Sequence, residues 1–163
     1  MKTPIVIILF LLFAIPSYSQ LVTKTKCDAF TIDILDGKVG GLKASAKDYD
    51  IKKAFPCFTS AEPEGTASGC GGQVNYKDRD VYFYVDRDYI EIRDKVKAKL
   101  TVPLMGGKRN SFFKFLGNPK LKDDKWDAFQ MSYGTLILHY NSAGKVNKIQ
   151  MSTLSTETIK LCQ

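Results

Sequence analysis

Apolar and polar residues alternate in several short runs along this chain, and two stretches with helical spacing lie between them. Phe30-Thr31-Ile32-Asp33-Ile34 changes character at every residue, the pattern of a half-buried strand. After Gly37 and the pair Gly40-Gly41, Ser45 stands three residues before Asp48 as a capping-box-like start. Tyr49, Ile51, Ala54 and Phe55 then recur at helical spacing until Pro56 stops the run, which predicts a helix over 45–55. A loop with Pro63, Gly65 and Gly69 follows. Three short strands come next, over 73–76, 81–85 and 89–92, joined at Lys77-Asp78-Arg79-Asp80 and Asp86-Arg87-Asp88 as hairpin turns.

The second half repeats the plan. A strand over 99–102 runs into Pro103 and Gly106-Gly107, and a short helix over 111–116 ends at Gly117 with Pro119 just beyond. A loop carries Trp126, and strands are expected over 129–133, 135–140 and 146–151. Asn141-Ser142-Ala143-Gly144 is the turn between the last two, with Gly144 suited to a positive φ. The tail over 154–161 reads as either a last strand or a docked extension held by Cys162.

Laid side by side, Ile51-Lys52-Lys53-Ala54-Phe55-Pro56 answers Phe112 to Pro119, Val81-Tyr82-Phe83-Tyr84 answers Leu136 to Tyr140, and Tyr89-Ile90-Glu91-Ile92 answers Val146-Asn147-Lys148-Ile149. These matches suggest two imperfect repeats, about 30–92 and 89–151. The fold class expected is α+β, with both units sharing one antiparallel sheet and the helices on one of its faces.

A helix ending in Leu116-Gly117-Asn118-Pro119, followed by a strand pair closing as Ile137-Leu138-His139-Tyr140-Asn141-Ser142-Ala143-Gly144-Lys145-Val146-Asn147-Lys148-Ile149, resembles a known pattern. It is similar to the small repeated units of the β-lactamase-inhibitor-protein-like fold, which outer-membrane-assembly lipoproteins of the SmpA type also use. The resemblance implies an exported, non-enzymatic module that works through a protein-facing surface. It carries no functional residue onto this chain, because the lipid-anchor cysteine is missing and no inhibitory loop aligns.

Composition adds the compartment. With 44% hydrophobic residues in 163, the chain has enough apolar material for a packed core, which excludes the disordered classes. Met1-Lys2-Thr3 is a basic start, residues 5–15 are eleven consecutive apolar residues, and Ser17-Tyr18-Ser19 offers small residues at −3 and −1. That combination is a secretory signal peptide over 1–19, leaving one domain over 20–163. Eleven residues fall short of the roughly 20 that a membrane span needs. Cys27, eight residues beyond Ser19, is misplaced for a lipid anchor. The expected location is therefore periplasmic or extracellular.

Export decides what the cysteines mean. Cys27, Cys57, Cys70 and Cys162 are an even number, spaced by 30, 13 and 92 with no C-x-x-C, so disulfides are expected in place of a metal site. Three pairings are open. The nested one, Cys57–Cys70 clamping a loop and Cys27–Cys162 tying the ends, is the preferred expectation.

The charge is localised. Of the net +7, residues 93–125 supply +7, with ten basic side chains and three acids, while 20–92 sum to −2. Lys95, Lys97 and Lys99 alternate with Val96, Ala98 and Leu100, so on a strand their ammoniums share one face. A row of like charges is relieved by an anionic partner, or serves to blunt an exposed sheet edge. Phe112, Phe115 and Leu116 share a helix face and are assigned to the core, which leaves Phe113, with Trp126, as apolar anchors. The candidate binding surface is thus Lys95, Lys97, Lys99, Lys108, Arg109, Phe113 and Trp126. The partner expected is an envelope protein, an anionic polymer or a lipid headgroup, with nucleic acid ranked last for an exported protein.

Catalytic chemistry has less behind it. His139 is the only histidine and sits mid-strand, on the opposite face from Leu138 and Tyr140, with no nucleophile or acid placed beside it by sequence. Asp78, Asp80, Asp86, Asp88 and Glu91 fall within fourteen residues. A hydrolase of a polyanion using Asp86, Asp88 or Glu91 as acid and base is the alternative function. A structural envelope protein joining larger complexes through its sheet edge is a third. No metal or cofactor motif is present, so no cofactor is expected.

Overall fold

A computed structural model describes residues 27–67 and 69–162; the expected signal peptide lies outside them. Strands β1 (Phe30–Asp33), β2 (Lys38–Val39) and β3 (Leu42–Lys43) precede helix α1 (Asp48–Ala54). Then come β4 (Ser60–Glu62), β5 (Gln73–Tyr76), β6 (Val81–Tyr84), β7 (Tyr89–Arg93) and β8 (Ala98–Leu100). Helix α2 (Phe113–Leu116) leads to β9 (Leu121–Lys122), β10 (Trp126–Met131), β11 (Gly134–Tyr140) and β12 (Val146–Ser152). The class is α+β, mostly strand.

The strands form two sheets, which corrects the expected single shared one. Eight strands in the order β4-β5-β6-β7-β12-β11-β10-β9 pair antiparallel throughout. Thus β4–β7 and β9–β12 are two four-stranded meanders that meet at β7·β12. The other four strands, β3-β2-β1-β8, form a mixed sheet in which β1 and β8 run parallel. Both edges of β7 are already taken, by β6 and β12. The chain therefore turns away after Arg93, with Val96 N–H on the Arg93 carbonyl at 3.1 Å and Lys97 N–H on that of Arg79 at 3.2 Å, and β8 finds its partner in β1.

Alternation along each strand assigns the two faces of the large sheet. Val74, Tyr76, Val81, Phe83, Ile90, Ile92, Phe129, Leu136, Leu138, Ile149 and Met151 point to one side and are almost wholly buried. There they join Phe30, Ile32, Ile34 and Val39 of the small sheet, Ile51 of α1, Leu104 and Phe112 in one core. Each such side chain contributes about 1.5–3 kcal/mol by leaving water. Tyr76 ties the layers together: its ring meets Phe30 edge-on at 5.0 Å, and its hydroxyl donates to the Phe55 carbonyl at 2.7 Å. Burial also pushes that phenol's pKa up.

Local details differ from the sequence expectation in instructive ways. Ser45 does not cap α1; Lys47 occupies the cap position without a side-chain bond to the helix backbone, and the Asp48 N–H is met by Glu64 Oε1 at 3.1 Å. Asp48 also accepts from Lys52 one turn on, at 2.7 Å. Around α2 Phe113 and Phe115 exchange their expected places, while Phe112 and Leu116 stay on the core side as expected. The chain is a 3-10 turn over Arg109–Ser111 and becomes α-helical only at Phe113, so Phe113 packs inward where Phe115 was expected. Phe113 packs beside Phe129, ring centres 6.4 Å apart, while Phe115 is 51% exposed. Trp126, expected in a loop, opens β10.

The disulfides are Cys27–Cys57 and Cys70–Cys162, which corrects the nested pairing. Packing explains the exchange. Phe55 at the end of α1 packs against Phe30 with the rings tilted and their centres 4.4 Å apart, and this carries Cys57 back to the start of β1. Cys70 lies instead on the far side of the large sheet, where the tail passes.

That tail settles the second open expectation: residues 153–162 form no strand and dock on the outer face of the large sheet. Thr135 Oγ1 donates to the Leu154 carbonyl at 2.7 Å, the Thr156 N–H reaches Gln130 Oε1 at 3.2 Å, and the Cys162 N–H reaches the Tyr89 hydroxyl at 3.2 Å. Beneath its end, Tyr84 stacks on Tyr89 at 4.4 Å. The outer face is polar in sequence yet largely buried because this segment covers it.

Candidate functional site

The outer-face positions of β7, β12 and β11 carry Glu91, Gln150 and His139; the antiparallel register sets Gln150 opposite Glu91 and His139 opposite Lys148, so His139 is the diagonal neighbour of Gln150. They form one chain of hydrogen bonds. Arg93 Nε donates to Glu91 Oε1 at 2.7 Å, Gln150 Nε2 donates to Glu91 Oε2 at 2.8 Å, and His139 Nε2 meets Gln150 Oε1 at 2.7 Å. Gln150 presents its NH2 to Glu91 and its carbonyl oxygen, which can only accept, to His139. That requires His139 to hold its proton on Nε2. Lys148 stands 3.8 Å from Glu91, and the Arg93 guanidinium lies 4.0 Å above the Tyr82 ring.

Burial pushes the His139 imidazole below its ordinary 6.5, reinforced by Lys148 and opposed by the Gln150 bond and Glu91. The unfolded chain therefore binds this proton more readily than the folded one. The stability that the neutral ring contributes is complete above the unfolded value and is lost as pH falls through it toward the folded one. His139→Gln is expected to lose less melting temperature than the wild type between about pH 7 and pH 5. Equal losses in parallel thermal scans would refute the assignment.

Beside this chain lies a cleft of about 540 Å³, within the range that holds small ligands. Ala128 and Ile137 form its floor with Gln150 and His139. Trp126 and Leu121 wall one side, and Ile159, Lys160 and Leu161 of the docked tail wall the other. His139 and Lys148 also line an adjoining hollow of about 350 Å³ with Arg93, Asp94 and Lys125.

The seven residues singled out from sequence separate into three groups. Trp126 belongs to the cleft. Lys95, Lys97 and Lys99 are exposed on the run into β8, an edge strand, with Val96, Ala98 and Leu100 turned toward the core; Lys108 is exposed as well. None of these four lysines makes an ion pair among the described residues. Phe113 and Arg109 turn inward. Arg109 Nε donates to Asp127 Oδ2 at 2.9 Å and Nη2 to Asp127 Oδ1, with further bonds to the carbonyls of Asp123 and Asp124.

Two carboxylates of the hydrolase alternative, Asp86 and Glu91, have structural partners, and Asp88 has a backbone role. Asp86 Oδ2 accepts from the Gly65 and Gly72 amides at 2.9 and 2.7 Å, and so closes the 63–72 loop; a Cβ added at Gly71 would stand 2.6 Å from that oxygen. Asp88 occupies a left-handed turn position, φ 50°, and its carbonyl receives Ser152 Oγ. Glu91 is held by Arg93 and Gln150.

Lys148, Gln150, Ile137 and Lys160 escaped the sequence reading. Their signal was weak but present: Ile137, Lys148 and Gln150 alternate with the core residues Leu136, Leu138, Ile149 and Met151. Pairing across β7·β12 brings Glu91 to Gln150, 59 positions away, and no local pattern encodes that.

Compared with protein-family models, with curated proteins and with solved structures, the chain matches none.

Proposed function

We propose that this chain is an exported, non-catalytic binding module that recognises an anionic partner, an envelope protein or an anionic polymer or headgroup surface, through the lysine row before and in β8. The observation that carries the reading is the row itself: Lys95, Lys97 and Lys99 exposed on one side, without ion pairs among the described residues, while Val96, Ala98 and Leu100 pack inward. Aligned, unpaired ammoniums repel one another, and an acidic surface relieves that repulsion. The signal-peptide pattern and the two disulfides support export.

The two meanders on either side of β7·β12, each preceded by a helix, are read here as two copies of one unit. This is the arrangement that the resemblance to the β-lactamase-inhibitor-protein-like fold implies. In that reading the repeat boundaries move to α1–β7 and α2–β12, and the small sheet is an addition.

The test is capture of partners from an envelope extract at about 50 and 300 mM salt, where screening differs strongly. The Lys95→Gln, Lys97→Gln, Lys99→Gln variant is expected to lose the partner at low salt while melting within a few degrees of the wild type. A second reading rests on the position of β8 at a sheet edge: the lysines keep that edge from pairing with other chains. It predicts instead that the triple variant retains its partners and self-associates, which light scattering detects.

A further inference from the structure

We propose that the cleft between Trp126 and the docked 153–162 tail is a binding site for an amphipathic monoanion, an alkyl chain ending in a carboxylate. It is separate from the lysine row and does not depend on it.

The shape and lining argue for an apolar body. Leu121, Ala128 and Ile137 lie along one side and floor, Ile159 and Leu161 face them from the tail, and Trp126 offers a flat indole wall. Alanine at 128 supplies the depth, standing between the larger Trp126 and the exposed Gln130 on the same face of β10. The walls are set before a ligand arrives. The tail is fixed at Leu154, at Thr156 and, through Cys70–Cys162, at its far end, so binding need not order it.

The charges argue for an anionic head. Lys148 and Lys160 are the charged residues among the described lining of the cleft, and no carboxylate belongs to it. Lys148 is poised to accept a better partner. Glu91 already has close bonds from Arg93 and Gln150, leaving Lys148 a longer contact of 3.8 Å. Where the cleft adjoins the hollow beyond His139, Arg93 and Lys125 join Lys148, three cations against two carboxylates, Asp94 in the lining and Glu91 beneath Arg93 and Lys148. A head group there meets net positive potential, while its chain lies against Ile137 and Trp126.

Trp126 is the only tryptophan, so its emission reports the cleft directly. The oxidised full chain is titrated with dodecanoate, dodecylammonium and hexanoate at about pH 8, where the carboxylates are ionised. Dodecanoate, below its micelle concentration, is expected to change Trp126 emission saturably, with hexanoate and dodecylammonium each much weaker. Lys160→Ala and Lys148→Gln are each expected to weaken dodecanoate by about tenfold, the loss of one charge-assisted contact. Lys160 is exposed, so its variant carries the test even if Lys148→Gln disturbs the Glu91 network. The Lys95→Gln, Lys97→Gln, Lys99→Gln variant is expected to bind dodecanoate like the wild type. Three results would each overturn the proposal: no saturable change, equal binding of dodecylammonium, or a loss confined to the triple variant.

Discussion

Replacing Arg109 by methionine is expected to destabilise the protein by about 3–5 kcal/mol, the cost of leaving a buried charge without its partner. Asp127 is fully buried, and three donors hold it: Arg109 Nε and Nη2, and the Tyr140 hydroxyl at 2.8 Å. Methionine roughly fills the space but leaves the carboxylate with one hydrogen bond in an apolar surrounding. The same substitution frees the carbonyls of Asp123, Asp124 and Trp126, which the guanidinium gathers at the entry to β10. Arg109→Lys is not expected to rescue, because one ammonium cannot replace a planar fork that serves five acceptors. The double variant Arg109→Met, Asp127→Leu is expected to recover much of the loss, since removing both charges removes the desolvation cost. Urea unfolding of the three variants decides it. A loss under about 1 kcal/mol for Arg109→Met would mean that the pair is solvated like an ordinary surface ion pair.

Removing the Cys70–Cys162 bond is expected to have the second largest effect. It closes a loop of 92 positions, for which chain-entropy reasoning gives about 4–5 kcal/mol, and measured losses commonly run about 2–5. The functional consequence is more specific. Cys162 anchors the end of the segment that walls the cleft and covers Tyr82, Tyr84 and Tyr89. The Cys70→Ser, Cys162→Ser variant is expected to move Trp126 emission toward that of solvated indole even where it stays folded. By contrast, Cys27→Ser, Cys57→Ser shortens no wall of the cleft and is expected to leave the emission unchanged while lowering stability. Peptide mapping of the oxidised protein should recover Cys70 linked to Cys162. Finding Cys57 linked to Cys70 would remove the anchor and with it the preformed wall.

Much of the secondary structure was legible from residue order alone. Strands at β1, β5, β6, β7, β11 and β12 follow the alternation of apolar side chains, because one pleated face of each is buried in the core. The stop at Pro56 and the turn at Gly144, with φ 67°, follow equally directly from backbone sterics. The helix at α2 was placed but its faces were not. One turn of α-helix after a 3-10 segment does not continue a single 3.6-residue period, so Phe113 took the inward place expected of Phe115, while Phe112 and Leu116 kept theirs.

The candidate site was legible only in part, for a similar reason. His139 and Trp126 stood out because each is the only residue of its kind, and Lys95, Lys97 and Lys99 because their spacing matches a strand. Arg109 looked like a member of the same basic surface, yet its role is decided by Asp127, a partner eighteen positions along and wholly inside. Charge counts do not distinguish a solvated cation from one that compensates a buried acid.

What the sequence by itself determined is the local grammar: where strands and turns fall, which side of each strand is apolar, that the cysteines pair, and that the positive charge is concentrated in 93–125. These follow from nearest neighbours, whose sterics and periodicity act over a few residues. Which strands became neighbours, which cysteines met, and what covered the polar face were decided by the tertiary structure. With both edges of β7 occupied, β8 had to pair with β1. The packing of Phe55 on Phe30 then brought Cys57 to Cys27 and left Cys70 for Cys162. The tail so anchored turned an exposed sheet face into a walled cleft, because contacts between residues 59 to 92 positions apart depend on the whole core and on no local run of it.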